Sequence, residues 1–191
     1  MVLSHSLLWA ASEGPNSPDA GANDASFGTV AWTNPGNVLS SNDSDATATS
    51  ASAFTTQYLK ATDFDFAIPA GATIDGIISE AERADGNASR NCADSRVRIV
   101  KADGTIGTTD KAAAGNWPTG DAYASYGSST DLWGETWGST DINDIDFGFV
   151  IAATGESGAT CTVDHMRVTV HYTAASGAVF QRRRVIVTEP Q

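Results

Sequence analysis

Between residues 3 and 188, apolar side chains recur at alternate positions in short runs, and these runs are broken by Gly, Asn, Asp and Ser. A period of two puts successive side chains on opposite faces of a strand, whereas helical spacing of three and four is nearly absent. The chain therefore reads as all-β. Eight runs qualify as strands, at residues 3–10, 27–32, 57–66, 73–84, 95–101, 146–153, 160–173 and 179–188. They suit an antiparallel β-sandwich of two sheets, with long loops and an extended C-terminal strand or tail. In the run at 160–173, Met166, Val168, Val170 and Tyr172 share one face, and Arg167, Thr169 and His171 share the other. The first set is expected in the core. His165 falls on the face of His171, but six residues of extended chain put them about 20 Å apart, too far to share a metal ion.

Several turns follow from local chemistry. Asp103-Gly104 after an apolar run signals a hairpin, because glycine accepts the positive φ of a tight turn. In Ile68-Pro69-Ala70-Gly71, proline presets φ and glycine relieves the bend, so that Ile68 and Ile74 both turn inward. Gly155-Glu156-Ser157-Gly158 separates the strands of a final hairpin. Residues 40–53, rich in Ala, Ser, Thr and Asp, read as an ordered surface excursion in which Ala46, Ala48 and Ala51 provide small-residue packing.

The densest signal lies in Asp131-Leu132-Trp133-Gly134-Glu135-Thr136-Trp137, followed by Asp141-Ile142-Asn143 and Phe147-Gly148-Phe149-Val150. With Ile68-Pro69-Ala70-Gly71-Ala72-Thr73-Ile74-Asp75-Gly76-Ile77 upstream and Val163-Asp164-His165-Met166-Arg167-Val168-Thr169-Val170-His171-Tyr172 downstream, it resembles a jelly-roll module recurrent in tailed-bacteriophage virion proteins. The likeness spans residues 32–172. It implies a jelly-roll sandwich and a viral structural role, in a head decoration (cement) protein or a tail appendage.

A chain of 191 residues is long enough for one domain with a full core. The expected division is a sandwich over residues 1–176, whose first 26 residues form a strand and loop that could serve as a docking arm, and a basic tail over 177–191. No stretch of eighteen apolar residues calls for a membrane, and the N-terminal segment lacks a secretory leader, so the mature chain is expected to start at Met1. The net charge of −12 argues against nucleic-acid binding, which needs clustered Lys and Arg. The tail runs against this trend: Arg182, Arg183 and Arg184 against Glu189 leave it at +2 and the remainder at −14. Cys92 and Cys161 are too few for a disulfide scaffold or a zinc site; two buried thiols are favoured over a single disulfide.

Candidate chemistry is sparse. Trp133 and Trp137 could form a stacking platform for sugars or bases, but glycine-flanked indoles near a strand more commonly plug the end of a sandwich and give their N–H to a loop carbonyl. Together with Asn143 and Phe147 they are assigned to the structural core. Trp117, Tyr123 and Tyr126 lie in a more polar region and are the expected exposed ligand contacts. Asp141, Asn143, Asp144 and Asp146 offer oxygen ligands, yet lack the glycine and glutamate of an EF-hand, and Asx turns explain them equally well. No metal or other cofactor is expected. There is no nucleophile elbow, zincin motif or phosphate loop, and His5, His165 and His171 have no recognisable nucleophile partner, so no enzyme is expected.

Two segments are expected to meet partners. Arg182, Arg183 and Arg184 precede Val185, Ile186 and Val187, which need cover; crossing to a neighbour would supply it, while the plain alternative is a charged edge strand. Leu7, Leu8 and Trp9 are the second set, with a first core strand as the plain alternative. The resemblance then implies a homotrimer on the outer capsid surface, assembled in the host cytoplasm and bracing major capsid proteins, without contact to nucleic acid or membrane. Three copies would carry −36, so the interface must be apolar or sequester the arginines. The rival expectation is a tail-fibre, tailspike or collar component that recognises host glycans. A third is a soluble carbohydrate-binding module.

Overall fold

A computed structural model describes residues 9–87 and 89–175. Ten strands form two antiparallel sheets packed as a sandwich. The first sheet contains β1 (Ala10–Asn16), β3 (Ala46–Thr49), β6 (Thr73–Asp85), β8 (Ala122–Gly127) and β10 (Thr160–Thr173). Its order is β1-β10-β6-β8, with β3 continuing the line of β1 along the same edge of β10. The second contains β2 (Ala20–Asp24), β4 (Phe54–Thr55), β5 (Tyr58–Thr62), β7 (Cys92–Val100) and β9 (Gly148–Gly155). Here β9 lies between β7 and β5, and β2 flanks β5.

The core lies between the sheets. Met166, Val168, Val170 and Tyr172 all face it, opposite Phe149, Ile151, Phe64, Phe66 and Phe147. β9 is buried on both faces, because Val150 and Ala152 meet a smaller outer cluster with Tyr58, Val100, Phe27 and Ile106. Double burial explains why β9 reads as an unbroken apolar run instead of an alternating one. Trp133 is fully buried and donates its indole N–H to the Ile77 carbonyl at 3.0 Å, and Trp137 donates to Leu132 at 2.9 Å while meeting Phe147 edge-on. The Asp103-Gly104 hairpin and the Pro69-Gly71 bend form with Gly104 and Gly71 at positive φ.

Some elements depart from the alternation. Residues 27–32 make only an isolated bridge, Val30 to Thr56, because the Asn23 side chain takes both the N–H and the carbonyl of Trp32 in place of a ladder. Of the first run, residues 3–8 lie outside the described residues, and β1 is described from Ala10 to Asn16. The excursion at 40–53 contains β3, whose Ala46 and Ala48 are buried. The segment holding Tyr123 and Tyr126 is a strand, β8, because it pairs with the long β6.

The cysteines are a further correction. Cys92 in β7 and Cys161 in β10 form a disulfide, with Cα atoms 5.7 Å apart. The strands belong to opposite sheets and are remote in sequence, so only the stacking of the sheets brings the two together. The bond ties the sandwich at the end where β10 begins.

Candidate functional site: the outer face of the first sheet

The described chain ends leave the sandwich together. Ala174, just after β10, donates its N–H to the Trp9 carbonyl just before β1. Trp9 is 69% exposed. The other large exposed apolar side chain among the described residues, Ile145 at 67%, belongs to the loop before β9. That loop is fixed to the same end, since the Asn143 amide donates to the Ile68 carbonyl at 2.9 Å and its oxygen accepts the Ile68 N–H at 2.8 Å.

The outer face of the first sheet is polar. A β-bulge between Val163 and His165 turns two successive residues, Asp164 and His165, away from the core before Met166 returns inward. His165 then links three elements: its Nε2 lies 2.9 Å from Ser17 Oγ, and its Nδ1 lies 2.8 Å from the Tyr123 hydroxyl. Next along the face, Arg167 stacks over the Tyr123 ring at 3.6 Å and bonds Glu80 with its Nε at 2.8 Å. Asp164 accepts the backbone N–H groups of Asn42 and Ser44, which anchors the excursion before β3.

His165 has Glu82, Asp164 and Glu80 near it, and Glu82 and Asp164 in turn join Asp43, Asp45 and Asp121 in an acidic cluster. Burial, followed by repulsion from Asp121, Asp164, Asp43 and Glu82, holds the Asp45 carboxyl above the ordinary carboxylate range; burial and then Asp164, Glu82 and Asp43 raise Asp121. His165 moves the other way, because burial and then the Arg167 guanidinium disfavour its imidazolium. The Ser17–His165 contact is a hydroxyl–imidazole pair that alternation alone does not reveal. Its surroundings disfavour acyl transfer, since nearby carboxylates oppose the negative charge that reaction develops. The pair acts as a clamp joining the β1–β2 connection to β10.

A pH signature follows. The folded pKa values of Asp45 and Asp121 lie above the unfolded 3.8, so the folded state binds these protons more readily. The stability they cost is fully lost above the raised values and is recovered as pH falls through them towards 3.8. His165 has the opposite sign: its folded pKa lies below 6.5, and the cost appears as pH falls beneath that value. Asp45→Asn is therefore expected to raise stability at pH 7 by about 0.5 kcal/mol, the scale of a like-charge contact. Urea unfolding at two pH values checks this, with the gain shrinking near pH 4; an equal gain at both would contradict it.

Two of the expected ligand contacts are corrected. Trp117 and Tyr126 are buried, because both reach Asp94 on β7: the indole N–H donates to Oδ1 at 2.7 Å and the phenol to Oδ2 at 2.9 Å. The Tyr126 hydroxyl is held far above its ordinary pKa, by burial first and the Asp94 charge second. Tyr123 alone stays partly exposed, with one ring face occupied by Arg167. In the 141–146 segment, Asp141 caps the Gly138 N–H, Asp144 accepts the Asp146 N–H, and Asn143 clasps Ile68. Each has a backbone partner, as Asx turns and caps require. Among the described residues no group of His, Cys, Asp or Glu forms a metal site, and no helix is long and apolar enough to cross a membrane.

Of the expected partner-binding residues only Trp9 is described; Leu7, Leu8, Arg182, Arg183, Arg184, Val185 and Val187 lie outside the described residues. No family model, curated protein or solved structure matches this chain.

Proposed function

We propose that this chain is a non-enzymatic bacteriophage head decoration protein, which binds the outer capsid surface as an oligomer and braces major capsid subunits. The observation that carries the reading is polarity along the sandwich. One end gathers both described termini with the exposed Trp9 and Ile145, while the acidic cluster lies about 30 Å away, nine residues back along β10. An end with exposed apolar side chains suits attachment to a shell, and an acidic far end suits a surface that keeps particles dispersed.

The strand order is a second support. β1-β10-β6-β8 facing β5-β9-β7 follows the alternation between sheets that a jelly roll produces, with the connection after β7 in place of one further strand. The appendage alternative is weakened, because burial of Trp117 and Tyr126 removes two of its three aromatic contacts.

Gel densitometry of purified virions tests the reading. A decoration protein is expected at hundreds of copies and should bind expanded capsids when added back. A few copies per particle, with binding to host cells or glycans, would replace it with the appendage reading.

A further inference from the structure

The edges of the two sheets are guarded unequally. On the first sheet, β3 is covered by Thr33, which exchanges both backbone bonds with Thr47. β1 is interrupted by Pro15, which has no N–H to offer, and by a shift in register between Glu13 and Asn16. On the second sheet, β7 is sealed by the following connection, whose Gly107, Lys111 and Trp117 N–H groups bond to Ile99, Val97 and Cys92. β2 is packed by the 3-10 turn Pro35–Val38, and its Asn23 side chain clasps Trp32.

β8 is different. Its sequence, Ala-Tyr-Ala-Ser-Tyr-Gly, contains no charge and no proline, and it pairs with β6 on one side only. Among the described residues, no backbone group of 122–127 bonds anywhere else. An open, uncharged edge is a template for another strand unless something covers it.

The chemistry beside this edge favours a basic strand. Glu82 lies opposite Tyr123, and Asp121 immediately precedes the strand. Glu82 Oε2 and Asp45 Oδ1 are buried without a hydrogen-bond partner. Within the chain, residues 179–188 combine three arginines with an apolar run. In an extended segment Arg182, Arg184 and Ile186 share one face, while Arg183, Val185 and Val187 share the other. Arg182 and Arg184 would then face the acids while Val185 and Val187 extend the core beside Ala124 and Tyr126, with Arg183 at the rim of that face.

We propose that residues 179–188 of a second copy add to the open edge of β8, so that the chain links to its neighbours by strand addition. A second copy suits the distances better than the chain's own tail. From Thr173, a new strand beside β8 lies about 14 Å across the sheet and about 16 Å along it, because β8 reaches only to Ile78, five residues in from Thr73. Residues 174–178 cover that diagonal only at full extension, about 20 Å. The turn after β8, whose Asp131 carbonyl accepts the Ile77 N–H, lengthens that route further. Strand addition contributes backbone bonds, and complementary charge sets register and direction.

The inference rests on the reading of a protein that clasps its neighbours, but self-association is measured without any capsid. Sedimentation of the full chain should show an oligomer. Arg182→Glu/Arg183→Glu/Arg184→Glu, at positions outside the described sandwich, should weaken association at least roughly tenfold, as should Ala122→Lys/Ser125→Lys on the edge. Mixing a Ser125→Cys chain with an Ile186→Cys chain under mild oxidation should give a crosslink between chains, since Ile186 lies opposite Ser125 when Val185 and Val187 flank Ala124 and Tyr126. A monomeric wild type, an oligomer indifferent to both sets of substitutions, or no crosslink in the mixture would overturn strand addition. Capsid binding and copy number are read separately, so a failed crosslink beside normal particle binding condemns this inference alone.

Discussion

Replacing Cys92 and Cys161 with serine is expected to cost about 4 kcal/mol of folding stability, from the chain entropy released when a 69-residue loop opens. At this chain length, that corresponds to a fall in Tm of roughly 10 °C. The loss is large because the bond crosses between the sheets: β7 and β10 are joined there by no backbone ladder. Thermal unfolding with and without reductant measures it directly. A change below about 1 kcal/mol would show that sheet packing alone fixes this end. If the chain is made in a reducing cytosol, the bond closes only on reaching oxidising surroundings.

The second large effect is expected at Asp94. Its side chain is fully buried on β7 and accepts from the Trp117 indole, the Tyr126 hydroxyl and the Ala113 N–H, while Arg83 of β6 stands 3.6 Å away. Arg83 makes no hydrogen bond through Nε or Nη1; it is held by the Asp94 charge and by its position 5.1 Å over the Trp117 ring. Asp94→Ala therefore strands a buried guanidinium and orphans three donors, at a cost of about 3–5 kcal/mol. Replacing Arg83 and Asp94 together by apolar residues should cost less than Asp94→Ala alone, because no uncompensated charge remains. Denaturant unfolding of the single and double variants gives the comparison. Limited proteolysis should also show faster cleavage in residues 101–121, which Asp94 holds through Ala113 and Trp117. Wild-type stability in Asp94→Ala would mean the network contributes nothing net.

Both sites show the limit of reading along the chain. Trp117 looks like an exposed contact because its neighbours are Asn, Pro, Thr and Gly, yet its partner is a carboxylate 23 residues earlier. β8 looks like a loop because Ala and Ser carry little apolar signal, and only pairing with β6 makes it a strand. The Ser17–His165 contact joins positions 148 residues apart, and the bulge that turns Asp164 outward beside His165 leaves no mark in the alternation.

What the sequence determined by itself is the local part: all-β character, the long strands β6 and β10, the apolar β9, the turns at Gly71 and Gly104, and the inward face of Met166, Val168, Val170 and Tyr172. These depend on side-chain period and on φ preferences, which act between near neighbours. Tertiary structure decided the disulfide, the burial of Trp117 and Tyr126, the acidic cluster about Asp164 and Glu82 and the unguarded edge of β8. Each joins groups remote along the chain, and their distance in space is set by how two sheets stack, a property that no short window of sequence contains.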